Sequence, residues 1–266
     1  MKLQPVSQSL RIHLRDSDAR IKKGVPEKVE LHAEITKQQQ RIGELQRVFN
    51  AEARQALLIV LQGRDAAGKD GTIRHVFEAV DPQGCEVTSF KVPTSLELAH
   101  DYLWRVHARI PERGMIGIFN RSHYEDVLVV RVKNIVPKKV WKKRYAQIND
   151  FEEMLSENGV VILKFFLHVS RDEQKARLRD RLSDATKNWK FRAGDLDDRA
   201  LWDDYTEAYK DALRKCSTSC APWYIVPADD KGLRNLLIAR VIADTLESLK
   251  PKYPRADPAV LQLKIT

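Results

Sequence analysis

Apolar runs recur along the chain at the intervals that an α/β sheet requires. Five of them have the length of buried strands and are separated by segments with helical periodicity. They are Leu57–Gln62, Glu86–Val92, Met115–Asn120, Val160–Val169 and Trp223–Pro227. The first run is aliphatic at every position before Gln62, as expected of a strand covered on both faces. The pattern therefore predicts a five-stranded parallel sheet with helices on both sides.

Helical segments alternate with these strands. Apolar residues recur at three- and four-residue steps from Pro26 to about Gln55, and Pro26 suits a first helical turn. Further helices are predicted over Lys69–Val80, Ser95–Ile110, Ser122–Val130, Pro137–Asn158, Arg171–Leu182, Asp198–Cys216 and Lys231–Leu249. Ligands of such sheets bind beyond the carboxyl ends of the strands. We therefore expect the chemistry of this protein in the loops that follow the strands.

The loop after the first strand carries a phosphate-binding pattern, because the residues from Gly63 to Lys69 fit G-x-x-x-x-G-K. In this motif backbone N–H groups surround a phosphate, the lysine reaches its outer oxygens and the next helix directs its positive end at the anion. The residues expected at the phosphate are Gly63, Ala66, Ala67, Gly68, Lys69, Asp70, Gly71 and Thr72. An ordinary strand-to-helix turn with a surface lysine is the competing interpretation.

Two carboxylates flank the lysine of this loop. The position after Lys69 usually holds Ser or Thr, whose hydroxyl binds magnesium, but here it is Asp70. Asp65 and Asp70 would repel a bare phosphate. Their presence is understandable if they hold Mg²⁺ or position a phosphate acceptor, since hard cations bind oxygen ligands.

A polar cluster follows the third strand directly. Arg121 could pair bidentately with phosphate oxygens, and Glu125 or Asp126 could bind a metal directly or through water. Helix capping is the alternative, with Ser122 as the N-cap and Glu125 closing a capping box. Both interpretations can hold together, because acidic residues also stabilise the first turn of a helix.

A polar and basic lid segment is predicted after the fourth strand, over about residues 171–200. Arg177 and Arg181 are four residues apart and share a helix face, and Lys187 and Lys190 follow them. Such a segment suits a lid over phosphates, because phosphoryl transfer depends on positioning and charge neutralisation. A solvated amphipathic helix is the alternative. Lys91, at the end of the second strand, is either a further phosphate contact or a lysine extended along the sheet rim.

Charge is concentrated in one part of the 266-residue chain. The formal net charge is +9, and residues 131–190 contain 15 Lys and Arg against 8 Asp and Glu. A basic stretch of this kind suggests a polyanionic partner. Composition alone does not choose among nucleic acid, an acidic membrane and a phosphate polymer.

The length suits one α/β domain, which we assign to residues 26–249, between an N-terminal arm (1–25) and a C-terminal tail (250–266). No segment has the pattern of a secretion signal or a transmembrane helix. The three cysteines form neither a metal-ligand pattern nor an even disulfide set. A reducing, cytoplasmic location is therefore expected.

Together these motifs resemble those of the polyphosphate kinase type 2 family, P-loop proteins similar in architecture to thymidylate kinase. The resemblance covers about residues 51–256. It rests on Gly63–Gly71, Phe119–Asp126, Leu167–Ser170 with the helix of Arg177 and Arg181, Trp189–Phe191, Trp202–Tyr205 and Ala221–Tyr224. The implied architecture is a three-layer α/β/α P-loop kinase fold, in which a five-stranded parallel sheet carries a helical lid.

The resemblance implies reversible phosphoryl transfer between inorganic polyphosphate and a nucleotide with Mg²⁺ or Mn²⁺, and a homodimer or homotetramer. It implies that Lys69 holds phosphate, that Asp65 and Asp70 organise metal and acceptor, and that Arg121 steadies the transferring group. The basic residues of the lid would follow the polymer. Adenine or guanine nucleotides are the expected acceptors, and neither nucleic acid nor a membrane is expected as a partner.

Many members of that family carry Asp where this chain has Asn120. In this respect the chain resembles the subgroup that phosphorylates both nucleoside mono- and diphosphates. Glu125 or Asp126 is then expected to take over from the missing carboxylate, and the expected metal ligands are Asp65, Asp70 and Glu125. An ATP-dependent nucleotide kinase and a non-catalytic polyanion-binding P-loop protein are the alternatives.

Overall fold

A five-stranded parallel sheet with strand order β2-β3-β1-β4-β5 forms the centre of the protein. The computed structural model describes residues 2–9, 11–21, 24–192, 194–260 and 263. The strands are β1 (Ala56–Gly63), β2 (Cys85–Ser89), β3 (Ile116–Asn120), β4 (Val160–His168) and β5 (Trp223–Pro227). The α/β class and the five parallel strands predicted from the sequence are thus confirmed.

The helices flank this sheet on both faces. They are α1 (Lys28–Glu52), α2 (Lys69–Val76), α3 (Ser95–Leu98), α4 (Trp104–His107), α5 (Val129–Val132), α6 (Lys138–Glu157), α7 (Arg171–Ser183), α8 (Gly194–Ala200), α9 (Trp202–Lys215) and α10 (Lys231–Ser248). Short 3₁₀ turns cover Asp16–Ala19, Pro82–Gly84, His123–Asp126 and Asn188–Lys190. Within the described ranges, no helix combines the length and the apolarity needed to cross a bilayer.

Alternate side chains of β1 enter two separate cores. Leu58 and Val60 pack with residues of α6 and α9, whereas Leu57 and Ile59 pack with residues of α1, α2 and α10. This two-residue alternation is the geometry of a pleated strand. Every residue of β1 is buried, and the strand is a continuous apolar run from Ala56 to Leu61. Its carboxyl end holds the phosphate loop in the middle of the sheet.

The helix predicted over Lys69–Val80 ends at Val76, and three other predicted helices differ more from the structure. The helix expected over residues 95–110 is interrupted, because the Asp101 carboxylate accepts the N–H groups of Leu103 and Trp104 and so begins α4. Aspartate favours such local bonds over a helix interior. The segment expected over 122–130 is a 3₁₀ turn followed by α5, and the helix expected from Asp198 is divided at Leu201 into α8 and α9.

The N-terminal arm lies along the outer edge of β5. Pro5 forms an antiparallel bridge with Tyr224, and the Val6 N–H donates to the Trp223 carbonyl at 2.8 Å. Further along, the Arg15 carbonyl lies 2.8 Å from Nε2 of His168, at the carboxyl end of β4. The arm therefore follows the sheet towards the edge where the phosphate loop lies.

Candidate active site

The phosphate loop has the backbone geometry that its glycines predict. Ala66 and Gly68 both have left-handed φ angles, of 61° and 106°, and Gly68 caps α2. At Gly63 an added Cβ would lie 2.9 Å from the Leu167 carbonyl oxygen, so this position also requires the smallest residue. Successive turns of this kind make a concave surface, and the start of α2 adds its positive end to it.

The Lys69 ammonium group is folded back onto the loop. It donates to the carbonyl oxygens of Gly63 at 2.7 Å and Arg64 at 3.3 Å, and the side chain is buried. Burial, reinforced by the nearby charge of Arg121, lowers the pKa of Lys69 to about 8. The group is thus a cation at neutral pH whose described hydrogen bonds go to carbonyl oxygens rather than to carboxylates, which favours the arrival of an anion.

Arg121 lies at the centre of the site. Its φ of 64° is unusual for a residue with a side chain, and its N–H donates to the Leu61 carbonyl at 3.1 Å. The guanidinium group donates to Asp65 at 2.5 Å and to Glu125 at 3.1 Å. The charges of Glu125 and Asp65 outweigh burial and raise the pKa of Arg121. The left-handed backbone directs this cation from β3 across to the phosphate loop.

The Asp65 carboxylate on Arg121 is held in its ionised form. Burial alone would raise the pKa of Asp65, but the charges of Arg121 and Lys69 hold it below its ordinary value. The alternative capping role of Glu125 is not formed: the Ser122 hydroxyl accepts the Tyr124 N–H, and the Glu125 carboxylate turns to Arg121. Asp65, Arg121 and Glu125 therefore form one ion-paired group beside Lys69.

Asp126 is separated from this group. Its carboxylate pairs with Arg144 of α6 at 2.8 Å, and Arg144 also donates to the Asp126 carbonyl. Burial raises the pKa of Asp126 despite this partner. Consecutive residues of a turn point in different directions, which explains why Glu125 reaches the loop and Asp126 does not.

Asp70 and Asn120 meet at the exposed side of the loop. The Asn120 amide donates to the Asp70 carboxylate at 2.8 Å, and Lys190 from the predicted lid segment lies 4.0 Å from the other oxygen of Asp70. Asp70 is two-thirds exposed. Its carboxylate is therefore accessible to a cation or a ligand from solvent, unlike that of Asp65.

The cations of the lid segment occupy two different environments. Arg181 lies 3.4 Å from Asp195, and Lys187 pairs with Asp184 within the segment at 2.5 Å. Arg177 differs from the expected polymer contact. It is buried, and its guanidinium donates to main-chain carbonyls of the phosphate loop and of the loop after β5. It is thus a support of the loop rather than a cation offered to solvent.

Two further expected residues lie apart from the ion-paired group. Lys91 is exposed, and its carbonyl accepts a hydrogen bond from Arg105. Thr72 is buried with its hydroxyl unpartnered, and its N–H continues the helix by bonding to the Gly68 carbonyl. Neither residue lines the cleft at the phosphate loop.

That cleft is narrow, about 20 Å³. It is lined by Gly63, Arg64, Asp65, Arg121, Glu125, Leu128, Gln174, Asp198, Tyr205 and Tyr209. A single water needs roughly 10–15 Å³, so a phosphoryl group enters only if lining side chains such as Arg121 move. A larger cavity of about 700 Å³ lies near the amino end of β5, beneath the N-terminal arm.

Six of the lining residues are not among the site residues predicted from the sequence: Arg64, Leu128, Gln174, Asp198, Tyr205 and Tyr209. Tyr205 donates to Asp198 at 3.2 Å, and the Gln174 amide donates to the Asp65 carbonyl at 3.0 Å. Tyr209 lies beneath the Arg64 guanidinium. The Trp-Asp-Asp-Tyr motif that ends at Tyr205 is the sequence signal for this side of the site. Because the motif lies far from the phosphate loop in sequence, it does not indicate where in the fold these side chains lie.

The donor set fits a divalent cation that is shared with a substrate. Among the described residues, no group of three or more His, Cys, Asp or Glu side chains could hold a metal by itself. Mg²⁺ normally takes one or two carboxylates together with substrate phosphates and waters. Asp65 and Glu125, which both contact Arg121, and Asp70, on the exposed side of the loop, are the carboxylates from which one or two could be supplied to such a site.

The sequence matches a known family and is similar to proteins named as phosphotransferases. The sequence model of the family described as Polyphosphate kinase 2 matches residues 26–254. The AMP/ADP-polyphosphate phosphotransferase of Meiothermus ruber is 56% identical over 219 residues, which are 82% of this chain and 82% of that protein. The ADP-polyphosphate phosphotransferase of Rhodopseudomonas palustris is 49% identical over 240 residues, which are 86% of this chain and 83% of that protein.

The fold also matches a solved structure. A crystal structure described as Polyphosphate Kinase 2 from Arthrobacter aurescens has a TM-score of 0.87 and 40% sequence identity. The superposition covers 98% of this chain and 97% of that chain. The similarity therefore includes the sheet, the phosphate loop and the predicted lid segment.

Proposed function

This chain belongs to the Polyphosphate kinase 2 family, and on that premise we propose that it transfers the terminal phosphoryl group of inorganic polyphosphate to AMP and ADP. The reaction is reversible and requires a divalent cation, Mg²⁺ or Mn²⁺. Guanine nucleotides are further acceptors of the same chemistry. The relatives from Meiothermus ruber and Rhodopseudomonas palustris, named for AMP/ADP and for ADP, support both acceptors.

One observation carries this proposal. Lys69 and Arg121 bring two cations to the concave loop, and Asp65 and Glu125 hold Arg121 between β1 and β3. Catalysis of phosphoryl transfer depends mainly on placing the attacking and leaving oxygens in line and on neutralising charge on the transferring group. A buried lysine and a bidentate arginine at a glycine turn supply both.

In the proposed reaction, an oxygen of the acceptor's terminal phosphate attacks the last phosphorus of the polymer. The bond from that phosphorus to the bridging oxygen breaks, and the shortened polymer leaves with the electron pair on its new terminal oxygen. The attacking oxygen is already anionic at neutral pH, since the second pKa of a phosphate ester is about 6. Asp65 is therefore not required as a base, and its task is to hold Arg121 and to position the acceptor.

The divalent cation would be held by Asp65, Asp70 and Glu125 together with substrate oxygens. When bound, it neutralises negative charge on the phosphates. Lys69 and Arg121 contribute to the same end from the protein side. Tyr205, Tyr209 and Leu128 are among the walls of the cleft, and their rings and apolar carbons would help to exclude water once it is filled.

The predicted lid segment is assigned to the polymer. Lys190 already reaches towards Asp70, and Arg181 and Lys187 lie on the same segment. A chain of phosphates has about one negative charge per unit, so successive cations along the lid bind successive units. Assembly into a homodimer or homotetramer and a cytoplasmic location complete the proposal.

The test compares donors and acceptors directly. Purified protein is supplied with Mg²⁺, either AMP or ADP, and either long-chain polyphosphate or ATP. We expect ADP and ATP to form from polyphosphate with each acceptor. Phosphorylation of AMP by ATP without any from polyphosphate would instead identify a conventional nucleotide kinase. Equal polymer binding by wild type and Lys69→Ala, with no turnover by either, would identify a non-catalytic polyanion-binding protein.

A further inference from the structure

Two buried arginines support the phosphate loop without lining the cleft. Arg177 of α7 uses every N–H of its guanidinium group: Nε donates to Glu173, one terminal nitrogen donates to Ala66 and Ala67, and the other donates to the loop after β5. The loop acceptors are main-chain carbonyls at 3.0 and 3.1 Å. No further donor remains on Arg177 for a substrate.

Arg234 of α10 approaches the same loop from another element. It donates to the Ala67 carbonyl at 3.3 Å and to the Asn235 side-chain oxygen at 2.9 and 3.1 Å. At Gly68 an added Cβ would lie 2.0 Å from the Arg234 guanidinium, so the glycine is required for this approach as well as for its left-handed φ. The hydrogen bonds described for Arg234 thus go to uncharged acceptors.

Burial of these two cations is costly, although Arg177 has one carboxylate partner, Glu173. Arg234 is 2% exposed and Arg177 is 8% exposed. Burial lowers the pKa of Arg234 to about 10, and the neighbouring charge of Arg177 acts in the same direction. Two like charges in a low-dielectric region are unfavourable by themselves, and a bound polyanion nearby would offset them.

The shared acceptor determines where the next N–H points. Both arginines donate to the Ala67 carbonyl, and the peptide bond between Ala67 and Gly68 is planar and trans. The N–H of Gly68 therefore points away from the arginines. The N–H of Gly68 is one of the groups through which a loop of this pattern binds phosphate. The two side chains thus fix the direction of a substrate-binding N–H that they do not themselves touch.

We propose that Arg177 and Arg234 are positioning residues of the phosphate loop, which orient the Gly68 N–H towards the polyphosphate and add positive potential behind it. The inference rests on the proposed function, because it assigns the loop to the polymer rather than to the acceptor. A change at either arginine should then affect the polyphosphate side of the reaction more than the AMP side.

The test uses Arg234→Lys, Arg234→Met and Arg177→Lys, with Arg240→Met as the matched control. Arg240 lies on the same helix α10, and its guanidinium bonds to Glu34 of α1. We expect the KM for polyphosphate to rise and kcat to fall, together about tenfold or more, because small displacements of aligned groups are costly. The KM for AMP should stay within about twofold. Arg234→Lys, which keeps the charge, should retain more activity than Arg234→Met.

Two further measurements separate this role from a general loss of structure. Melting temperatures show whether each variant is folded. Titration calorimetry measures the affinity of the phosphate loop for tripolyphosphate in the absence of turnover. Weaker tripolyphosphate binding by Arg234→Lys and Arg177→Lys at a near-native melting temperature would support the proposal. Unchanged binding and kinetics, or equal losses for polyphosphate and AMP that follow the melting temperature, would overturn it. If wild type binds tripolyphosphate but forms no ADP from AMP and long-chain polyphosphate, the proposed function fails, while tripolyphosphate binding still tests the role of the two arginines.

Discussion

The side-chain amide of Asn120 donates a hydrogen bond to the carboxylate of Asp70 at 2.8 Å. This contact joins the end of β3 to the first turn of α2, next to the phosphate loop. An aspartate at position 120 would place a second carboxylate at the same distance. The amide therefore sets the number of negative charges on the exposed side of the site.

Asn120→Asp is expected to strengthen cation binding. Adjacent carboxylates raise each other's proton affinity and attract a divalent cation, so the Mg²⁺ concentration that gives half-maximal rate should fall about threefold or more. Initial rates with AMP over a series of Mg²⁺ concentrations measure this. Asn158→Asp, at the exposed end of α6, is the matched control. An unchanged Mg²⁺ midpoint in Asn120→Asp would show that the cation does not approach Asp70.

Lys69 should give the protein an alkaline limit of activity. Its pKa is lowered to about 8, so the cationic form is complete below that pH and is lost as the pH rises through it. Because kcat/KM reports groups of the free enzyme, kcat/KM for polyphosphate should decline above about pH 8.

Lys69→Arg provides the control for this pH dependence, since a guanidinium group keeps its charge throughout the range. Its activity is expected to be lower because the planar group fits the loop differently, but its profile should stay flat across pH 8. The same decline in Lys69→Arg would assign the titration to another group.

Arg121→Lys should lower kcat about 100-fold or more, because one ammonium group does not reproduce two directed contacts to Asp65 and Glu125 or bidentate binding of phosphate. Steady-state rates at saturating polyphosphate and AMP measure the loss. Arg144→Lys, which alters the pair with Asp126, is the control and should keep most of the activity. Equal losses in both variants would bring Asp126 into the catalytic group.

The lysines of the predicted lid segment should contribute to the salt dependence of polymer binding. In Lys187→Gln/Lys190→Gln, the slope of log affinity against log salt should become shallower by about 0.7 for each lost phosphate contact. Polyphosphate binding between low and moderate salt measures that slope. Lys142→Gln/Lys143→Gln removes the same charge from exposed positions of α6. A similar change of slope in both double variants would indicate general attraction rather than a lid contact.

A buried ion pair supports the turn that carries Glu125. Lys164 of β4 donates to Glu152 of α6, to the Tyr124 hydroxyl and to the Cys216 carbonyl, and Glu152 also bonds His123. Both partners of the pair are fully buried. Lys164→Met should lower the free energy of unfolding by about 3–5 kcal/mol, because it leaves the Glu152 charge unpaired.

Urea denaturation measures this loss. Lys164→Met/Glu152→Gln is the companion variant, and it should be less destabilised than Lys164→Met because no buried charge remains. A double variant that is less stable than the single variant would contradict this explanation.

The strands and the phosphate loop could be predicted from the sequence because each depends on local patterns. β1 is apolar from Ala56 to Leu61, and the glycines of the loop are required by a left-handed φ angle at Gly68 and by close approaches at Gly63 and Gly68. The polar cluster directly after the third strand located Arg121 and its acidic neighbours in the same way. These features need no knowledge of which distant segment packs against them.

Other parts of the site depend on contacts between distant segments. The four-residue spacing of Arg177 and Arg181 gives a shared helix face but does not say that the phosphate loop covers Arg177. The same holds for Arg234, which precedes an apolar helix face and has no motif around it. Asp126 lies next to Glu125 in the sequence, which predicts a shared role. The direction of the Asp126 side chain depends instead on its partner Arg144, which lies on α6.

In the substrate-free enzyme, the ion pairs of Arg121 with Asp65 and Glu125 oppose the binding of small anions. Chloride or a single orthophosphate would have to separate these charges and displace Lys69 from its carbonyls in return for few new contacts. A polymer end with a divalent cation supplies enough opposite charge to exchange all of these partners at once. Orthophosphate should therefore compete only weakly with polyphosphate. The phosphate loop then stays available to the polymer even at high orthophosphate concentrations.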